Sequence, residues 1–184
     1  MLSFSSKGYN RQDSLLKVIA NSSSDSVISS AYLDLATITS INNPKRALIY
    51  VNKSITYFSK FSKSFQYLRY QKKATIFRMM GELDSSIYYN NLVYSNALKN
   101  NIPKYLCEAY GEYGLLSISQ NNFQKSIEYF QKQLAIAKKY NFKEQLAGVY
   151  NNIGIAYGNK GDWDMAKEYF SKSLKDNLKN NKIP

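Results

Sequence analysis

The sequence repeats itself with a period of about 40 residues, and a regular period of this kind limits the possible folds more than any other feature. Residues 110–134 can be placed over residues 150–174 without a gap. The positions that then coincide are Gly114 and Gly154, Phe123 and Trp163, Ser126 and Ala166, Tyr129 and Tyr169, Phe130 and Phe170, and Leu134 and Leu174. Two further shifts of nearly the same length bring residues 81–94 and 42–55 into the same frame. Such periods are typical of stacked supersecondary units, so we predict four copies.

Each copy contains two segments of helical periodicity separated by a turn. In the last copy, residues 146–159 and 163–178 carry apolar side chains at helical spacing on either side of Gly161. Gly161 is typical of a helix C-cap, and Asp162 suits the positive N-terminal end of the next helix. Small residues recur where two helices must approach closely. They are Ser86, Gly114, Ser126, Gly154 and Ala166. We therefore predict an all-α fold of about four helical hairpins.

This pattern resembles the tetratricopeptide repeat. The last copy carries the family's Leu-Gly, first-helix Tyr, Gly-x-Tyr, Ala and second aromatic residue as Ile153-Gly154, Tyr157, Gly161-Asp162-Trp163, Ala166 and Phe170. The resemblance covers residues 28–184 and implies a right-handed superhelix, or α-solenoid. The usual period of that family is about 34 residues. HEAT and armadillo repeats have longer periods, close to the one seen here, so they are the structural alternative.

The chain is expected to divide into three parts. Residues 1–10 are predicted to be disordered or the remnant of a signal peptide, and residues 11–24 to form a short capping helix and its link. The four repeats follow over residues 28–66, 67–106, 107–146 and 147–184. The sequence KNN followed by Ile and Pro leads into the third repeat, with Pro103 near a helix start, where its missing N–H costs nothing. A related sequence ends at Pro184, so we expect an excised segment of a longer chain or an end covered by a partner.

Residue inventory excludes several kinds of chemistry. Histidine is absent and Cys107 is the single cysteine. A Ser-His-Asp triad, a Cys-His pair, a histidine metal cluster and a zinc knuckle are therefore ruled out. We expect no enzymatic activity, no metal and no cofactor. A single cysteine fits either a reducing compartment or the periplasm, and a periplasmic sensory segment is the favoured location.

The net charge of +12 is spread evenly along the chain. Residues 1–60, 61–100 and 101–184 each carry a net charge of +4, and only four of the 25 basic residues are arginine. A nucleic-acid-binding stripe would concentrate the charge and use more arginine, so nucleic acid is an unlikely partner. No run approaches the roughly 18 apolar residues that span a membrane, so no membrane contact is expected within this segment.

The resemblance implies that the first helices of the hairpins line a concave groove that binds a partner. Projecting the family's groove positions onto this sequence selects Tyr32, Gln71, Thr75, Arg78, Gly111, Leu115, Ser119, Asn151, Ile155 and Asn159. Arg78 is the first candidate among them, because a guanidinium group can bind a carboxylate of the partner through two hydrogen bonds.

Three functions are consistent with this scaffold. The leading hypothesis is a protein-binding or peptide-binding module, because the long repeat units and the sequence DSLL resemble the N-terminal sensory regions of bacterial sensor kinases and transcription regulators. The second is a homo-oligomerisation scaffold that pairs through open repeat edges. The third is a basic RNA-binding solenoid whose tyrosines stack on bases, and a steep loss of binding with added salt would distinguish it.

Overall fold

The structure, a computed structural model, describes residues 3–61 and 66–180, and these residues form nine helices and no strand. The helices are α1 (Ser3–Asn21), α2 (Asp25–Thr39), α3 (Pro44–Phe61), α4 (Tyr67–Met79), α5 (Leu83–Lys99), α6 (Pro103–Ser119), α7 (Phe123–Lys139), α8 (Lys143–Lys160) and α9 (Trp163–Asn180). The predicted all-α fold is confirmed. After α1, the helices alternate as the first and second members of four hairpins.

The chain forms two compact units, Met1–Tyr89 and Asn90–Pro184, whose boundary lies inside α5. In the first unit, α2 packs against α1 and α3, and α3 packs against α4. Its core contains Ile28, Tyr32, Leu35, Ala36, Ala47, Tyr50, Val51 and Ile76. In the second unit, each of the helices α6 to α9 packs against the next one along the chain. Its core contains Ile127, Phe130, Val149, Ile153 and Ala156.

Helix α1 begins at Ser3, so the disorder expected over residues 1–10 is not what the structure shows over residues 3–10. Ser, Gly and Asn occur in this segment, but such residues disfavour a helix by only about 1 kcal/mol each. Once residues 11–21 are helical, each further residue adds a hydrogen bond, so the helix extends at little cost. The signal-peptide interpretation stays a prediction.

From the end of α4 onward, the links between successive helices share one backbone conformation that recurs once per helix. Among the residues that the structure describes, five have positive φ angles, at 78° for Gly81, 51° for Asn101, 57° for Asn121, 57° for Asn141 and 87° for Gly161. Glycine has no Cβ to clash in this left-handed conformation, and asparagine tolerates it better than most residues do. In this part of the chain, the links within hairpins and the links between hairpins therefore use the same backbone turn, whereas the sequence predicted a Gly or Asn turn only within each hairpin.

Each of these turns ends its helix in the same way. The residue that follows the left-handed residue donates its N–H to a carbonyl five residues earlier, as Asn122 does to Ser117 (2.8 Å) and Asp162 to Tyr157 (2.9 Å). This bond is the six-to-one hydrogen bond of a Schellman motif, which satisfies a carbonyl group that the helix end would otherwise leave without a partner.

From α6 to α9, side-chain caps distinguish the two kinds of helix start. The second helices α3, α7 and α9 begin after Asn43, Asn122 and Asp162, whose Oδ1 atoms accept a backbone N–H at 2.9, 3.2 and 3.1 Å. The first helices α6 and α8 follow Ile102 and Phe142, whose side chains cannot accept a hydrogen bond. Helix α6 instead starts with Pro103, where a missing N–H has no cost, as the sequence indicated.

Glycine permits close contact between the helices of the last two hairpins. A Cβ atom on Gly114 would lie 2.4 Å from the ring of Phe130, and one on Gly154 would lie 2.7 Å from the ring of Phe170. No real Cβ atom makes contacts this short. The small residues at these two positions are therefore needed for close helix packing, as predicted, since any larger side chain would push the aromatic ring away.

Candidate partner-binding surface

In the first unit, the structure buries one of the four predicted groove residues. The Tyr32 side chain is only 9% exposed, and its ring stacks on Tyr50 and Tyr57 with centroid distances of 6.1 and 5.7 Å. Tyr32 is therefore a core residue with little surface left for a partner, and its role in binding stays a prediction. Matching the sequence to the groove positions of the family shows only where Tyr32 lies along its helix. It does not reveal that the rings of Tyr50 and Tyr57 on α3 cover this residue. The other three residues, Gln71, Thr75 and Arg78, are half-buried on α4.

In the second unit, most predicted groove residues reach the surface, but Gly111 does not. The Gln133 side chain covers Gly111 so closely that a Cβ atom there would lie 2.6 Å from its Nε2 atom. Gly111 is therefore buried beneath the Gln133 side chain of α7, which also keeps its backbone away from the surface. Leu115 is half-buried and packs against the core of the second unit. The four exposed residues are Ser119, Asn151, Ile155 and Asn159.

These residues form what we call the first-helix face, which consists of Leu115 and Ser119 on α6 and Asn151, Ile155 and Asn159 on α8. Helices α6 and α8 contact each other directly. Leu115 and Ile155 occupy equivalent positions in successive repeats, as do Ser119 and Asn159. Residues four apart lie on one side of a helix, so each helix presents an aliphatic side chain followed by a hydrogen-bonding one.

Helix α8 offers the more open part of this face. Ile155 is 38% exposed although it is aliphatic, and the amide groups of Asn151 and Asn159 stand one helical turn away on either side of it. Gly148, one turn before Asn151, is also exposed, and a Cβ atom there would meet nothing within 4 Å. An apolar residue between exposed amides suits a peptide, because a peptide presents both side chains and backbone hydrogen-bonding groups.

A cluster of aromatic rings forms in each hairpin. The sequence predicted that most tyrosines pack within the repeats, but it did not predict these clusters. Tyr89, Tyr129 and Tyr169 occupy equivalent positions on the second helices, one full repeat apart. Tyr129 stacks on Tyr110 and Tyr113 of α6, with centroid distances of 6.3 and 5.2 Å. The equivalent contacts join Tyr89 to Tyr70 and Phe77, and Tyr169 to Tyr150 and Tyr157. These rings are half-buried against each other, so their faces are largely occupied.

Lysine ammonium groups lie over these clusters. Lys132 and Lys172, again one repeat apart, place Nζ 5.6 Å from the ring centroid of Tyr129 and 4.6 Å from that of Tyr169. Lys73 lies 4.4 Å from the centroid of Tyr89 and donates a hydrogen bond of 2.9 Å to its hydroxyl group. Some of the lysines that give the chain its positive charge therefore make cation–π contacts within the protein. The recurrence of a lysine three residues after Tyr129 and Tyr169 was the sequence signal for this arrangement.

The tyrosine hydroxyls of the third hairpin stay protonated well above neutral pH. A hydrogen bond with Tyr94 and burial raise the pKa of Tyr110 to about 12. Burial and the neighbouring tyrosines also raise the pKa of Tyr113, whose hydroxyl donates to Oδ1 of Asn91. Neutral phenols of this kind act as hydrogen-bond donors and acceptors, not as bases. Burial likewise raises the pKa of the Cys107 thiol to about 12, so this cysteine is a poor nucleophile.

A second exposed surface lies along α9. We call it the α9 stripe, and it consists of Trp163, Lys167, Phe170, Leu174 and Leu178. Its apolar members are 73%, 41%, 61% and 54% exposed in that order. Two shallow depressions of about 370 and 360 Å³ follow the stripe. Contiguous exposed apolar side chains are typical of interaction surfaces.

Metal and membrane sites are not indicated. Within residues 3–61 and 66–180, no three His, Cys, Asp or Glu side chains are grouped so that they could hold a metal ion. In the same part of the chain, no helix has both the length and the apolar character needed to cross a bilayer.

Comparison with known proteins bears on the fold. Residues 105–176 match the sequence model of the tetratricopeptide repeat family. Comparison with curated protein sequences gives no match. A similar solved structure is that of aspartyl phosphate phosphatase F from Bacillus subtilis, with 18% identity and a TM-score of 0.74. The match covers 96% of this chain and 50% of the phosphatase, so the chain spans half the length of that protein.

Two further structures are similar over nearly their whole length. MamA is 21% identical with a TM-score of 0.56, over 100% of this chain and 99% of MamA. A set of nearly identical TPR-like repeats from Podosopora anserina is 14% identical with a TM-score of 0.65, over 96% and 90% of the two chains. These likenesses favour the tetratricopeptide fold over HEAT or armadillo repeats. Residues 105–176 therefore match the tetratricopeptide repeat by sequence, and the residues that the structure describes have the tetratricopeptide-repeat fold.

Proposed function

We propose that this chain binds a peptide segment of a partner protein on the first-helix face of its second unit. The repeat fold itself is that of a protein-interaction scaffold. The observation that supports this particular surface is the position of Ile155, an aliphatic side chain that is 38% exposed between the exposed amides of Asn151 and Asn159. Leu115 stands at the same register on the neighbouring helix, so the apolar contact continues across two helices.

The chemistry of the face indicates how a peptide is held. Ile155 and the accessible part of Leu115 bury an apolar side chain of the peptide, and the hydrophobic effect supplies most of the affinity. Asn151 and Asn159 offer both a donor and an acceptor, which suits peptide backbone groups. The Ser119 hydroxyl already donates to the Leu115 carbonyl at 3.2 Å, so its oxygen accepts hydrogen bonds from the partner. The proposal includes no catalytic step, in line with the expectation of a non-enzymatic module.

A random peptide library provides the test, because no partner is needed in advance. Peptides selected on the immobilised chain are expected to bind the Ile155→Glu variant at least tenfold more weakly, since a buried carboxylate would oppose the apolar contact. The Asn159→Ala variant should lose a smaller factor. The matched control is Ile49→Glu, because Ile49 is 55% exposed on α3 of the first unit. Selected peptides that bind the Ile155→Glu variant as well as the wild type would exclude this face.

An RNA-binding function makes a different prediction in the same assay. A single-stranded polyuridine oligonucleotide should then bind, with an affinity that falls steeply as salt is added. The half-buried, mutually stacked tyrosines disfavour this outcome, because their ring faces are occupied. Membership of a larger bacterial signalling protein is a further part of the proposal, supported by the repeat length. It predicts that the parent reading frame also encodes a kinase or DNA-binding domain.

A further inference from the structure

We propose that the α9 stripe binds the α9 stripe of a second copy of this chain, in an antiparallel pair related by a twofold axis. This interface lies on a second helix, whereas the first-helix face lies on α6 and α8. The proposal therefore does not depend on peptide binding and would stand if that function were excluded.

The spacing of the stripe is self-complementary, as a twofold interface requires. Its members follow each other at intervals of four, three, four and four residues, which keeps them on one side of α9. When two copies of α9 run in opposite directions about a point just after Phe170, Trp163 lies opposite Leu178. Lys167 then lies opposite Leu174, and the two Phe170 rings meet near the axis. Each large apolar side chain therefore has a counterpart on the other copy.

The charges beside the stripe favour the antiparallel direction. Asp164 and Lys175 are separated by about three helical turns, so both lie on the same flank of the stripe. Glu168 and Lys179 repeat this spacing one turn further on, but Glu168 already forms an ion pair with Lys172 of its own helix, so the Asp164 and Lys175 pair carries the argument. An antiparallel pair brings the acidic N-terminal half of one α9 near the basic C-terminal half of the other, whereas a parallel pair opposes like charges. The helix dipoles are also opposed favourably in the antiparallel arrangement.

Lys167 favours a second copy of α9, and not a further repeat, as the helix that covers the stripe. The equivalent residue of α7 is Ile127, which is 3% exposed beneath α8. A helix packed on α9 as α8 packs on α7 would bury Lys167, and the desolvation of its ammonium group would be costly. In a pair of α9 helices, both flanks stay open to water, so the aliphatic part of Lys167 packs while its ammonium group stays hydrated.

The first hairpin does not compete for the stripe. Helix α2 begins the first hairpin, and α1 packs along it, with Leu15 and Ile19 against the core of the first unit. A second copy therefore offers no uncovered first helix at α2, which disfavours contacts between α9 of one copy and α2 of the next. A closed pair through α9 needs only one surface on each copy.

Trp163 makes the test direct, because it is the only tryptophan in the chain and is 73% exposed. Analytical ultracentrifugation of the whole chain across a concentration series should show a monomer–dimer equilibrium. Tryptophan fluorescence should shift to shorter wavelength as the dimer forms, since the indole ring leaves water. Leu174→Glu should weaken the dimer about 100-fold or more, because a twofold interface loses each contact twice.

Matched variants separate the proposed interface from general loss of apolar surface. Leu98→Glu is the control, because Leu98 is 57% exposed on α5 and Leu174 is 61% exposed on α9. It should leave the dimer unchanged. Asp164→Lys should weaken the dimer about tenfold through repulsion from Lys175 of the second copy, and adding Lys175→Asp should restore it. Circular dichroism verifies that each variant is folded.

Three results would overturn the proposal. The first is a chain that stays monomeric at every concentration while Trp163 emits as an exposed indole. The second is a dimer that survives Leu174→Glu but is lost in Ile155→Glu, since this would place the contact on the first-helix face. The third is a double variant, Asp164→Lys with Lys175→Asp, that is no tighter than Asp164→Lys alone, which would exclude the antiparallel pairing.

Discussion

Helices α7 and α9 are equivalent second helices of neighbouring hairpins, and their equivalent residues meet different surroundings. Phe130 of α7 is fully buried, whereas Phe170 of α9 is 41% exposed. Leu134 packs against the core of the second unit, whereas Leu174 is 61% exposed. The two helices share their caps and turns, so local sequence determines where each helix starts and ends. Burial depends on whether another helix packs on the outer side.

The two sequences also differ where their surroundings differ. Buried Ile127 and Ala137 of α7 correspond to Lys167 and Asn177 of α9, both of which are exposed. Polar residues at these positions reduce the apolar surface that α9 presents to water, as the outward faces of repeat proteins usually do. The aromatic residues and leucines of the α9 stripe stay apolar. Mutations at equivalent positions of α7 and α9 would show how far the two helices differ.

The largest expected difference concerns the two phenylalanines. Phe130→Ala should lower the free energy of unfolding by about 3 to 5 kcal/mol, because it leaves a cavity in a fully buried site. Phe170→Ala should cost about half of that or less, because its ring is already partly in water. Chemical denaturation of both variants, at a concentration where the chain is monomeric, measures the difference. Equal losses would show that the outer side of α9 is as well packed as that of α7.

The glycines beneath these rings give the next test. Gly114→Ala should cost about 1 to 3 kcal/mol, because the new methyl group collides with a ring that has no room to move. Gly154→Ala should cost less, since Phe170 can move outward into solvent. Gly148→Ala is the control and should be neutral or stabilise the chain by up to about 1 kcal/mol, because its site is open. Thermal unfolding should rank the three variants in this order, and a larger loss for Gly154→Ala than for Gly114→Ala would contradict it.

The N-caps should not distinguish the two helices. Asn122→Ala and Asp162→Ala each remove one side-chain acceptor from a backbone N–H, and each should cost about 1 kcal/mol. The caps are local, so covering the helix should not change their contribution. Chemical denaturation measures the free energy of unfolding that each variant loses. If the two losses differ by more than the cost of one cap, the two helix starts are not equivalent.

The smallest effects are expected when glycine and asparagine are exchanged at the turns that precede these caps. Asn121→Gly and Gly161→Asn exchange the two residue types that tolerate positive φ, and each should change stability by only about 0.5 kcal/mol. Gly161→Ala should cost more, about 1 to 2 kcal/mol, because alanine pays the full steric cost of the left-handed conformation. Thermal unfolding distinguishes these cases, and an asparagine as costly as alanine at position 161 would argue against a common turn.

Periodicity predicted the features that depend on local sequence. The matched spacing of Phe130 with Phe170, and of Gly114 with Gly154, was sufficient to predict helical hairpins and their close packing. Pro103 and Gly161 predicted a helix start and a helix end, because the backbone constraints on these residue types are strong. The turns at Asn101 and Asn141 were not predicted, since asparagine is common in many surroundings and only its regular recurrence, once per helix, indicates the left-handed conformation.

Features that depend on neighbouring helices were harder to predict. Tyr32 and Gly111 fit the family register for groove residues, but Tyr57 and Gln133 from adjacent helices cover them. Trp163 fits the repeat pattern as well as Phe123 does, yet it is largely exposed, because exposure depends on the next helix and not on the pattern. The expected exposure of Asn151, Ile155 and Asn159 agrees with the structure, while their role in binding stays a prediction.

The turns also restrict how such a chain can be lengthened. From Gly81 to Gly161 the backbone turn recurs once per helix, but the side-chain pattern recurs once per hairpin, since caps such as Asn122 alternate with apolar residues such as Phe142. Duplication of one helix and its turn would keep every turn intact. It would also place a first-helix sequence where a second helix must pack, and so exchange the buried and exposed sides of every later helix. Gene duplication can therefore extend this architecture only by whole hairpins.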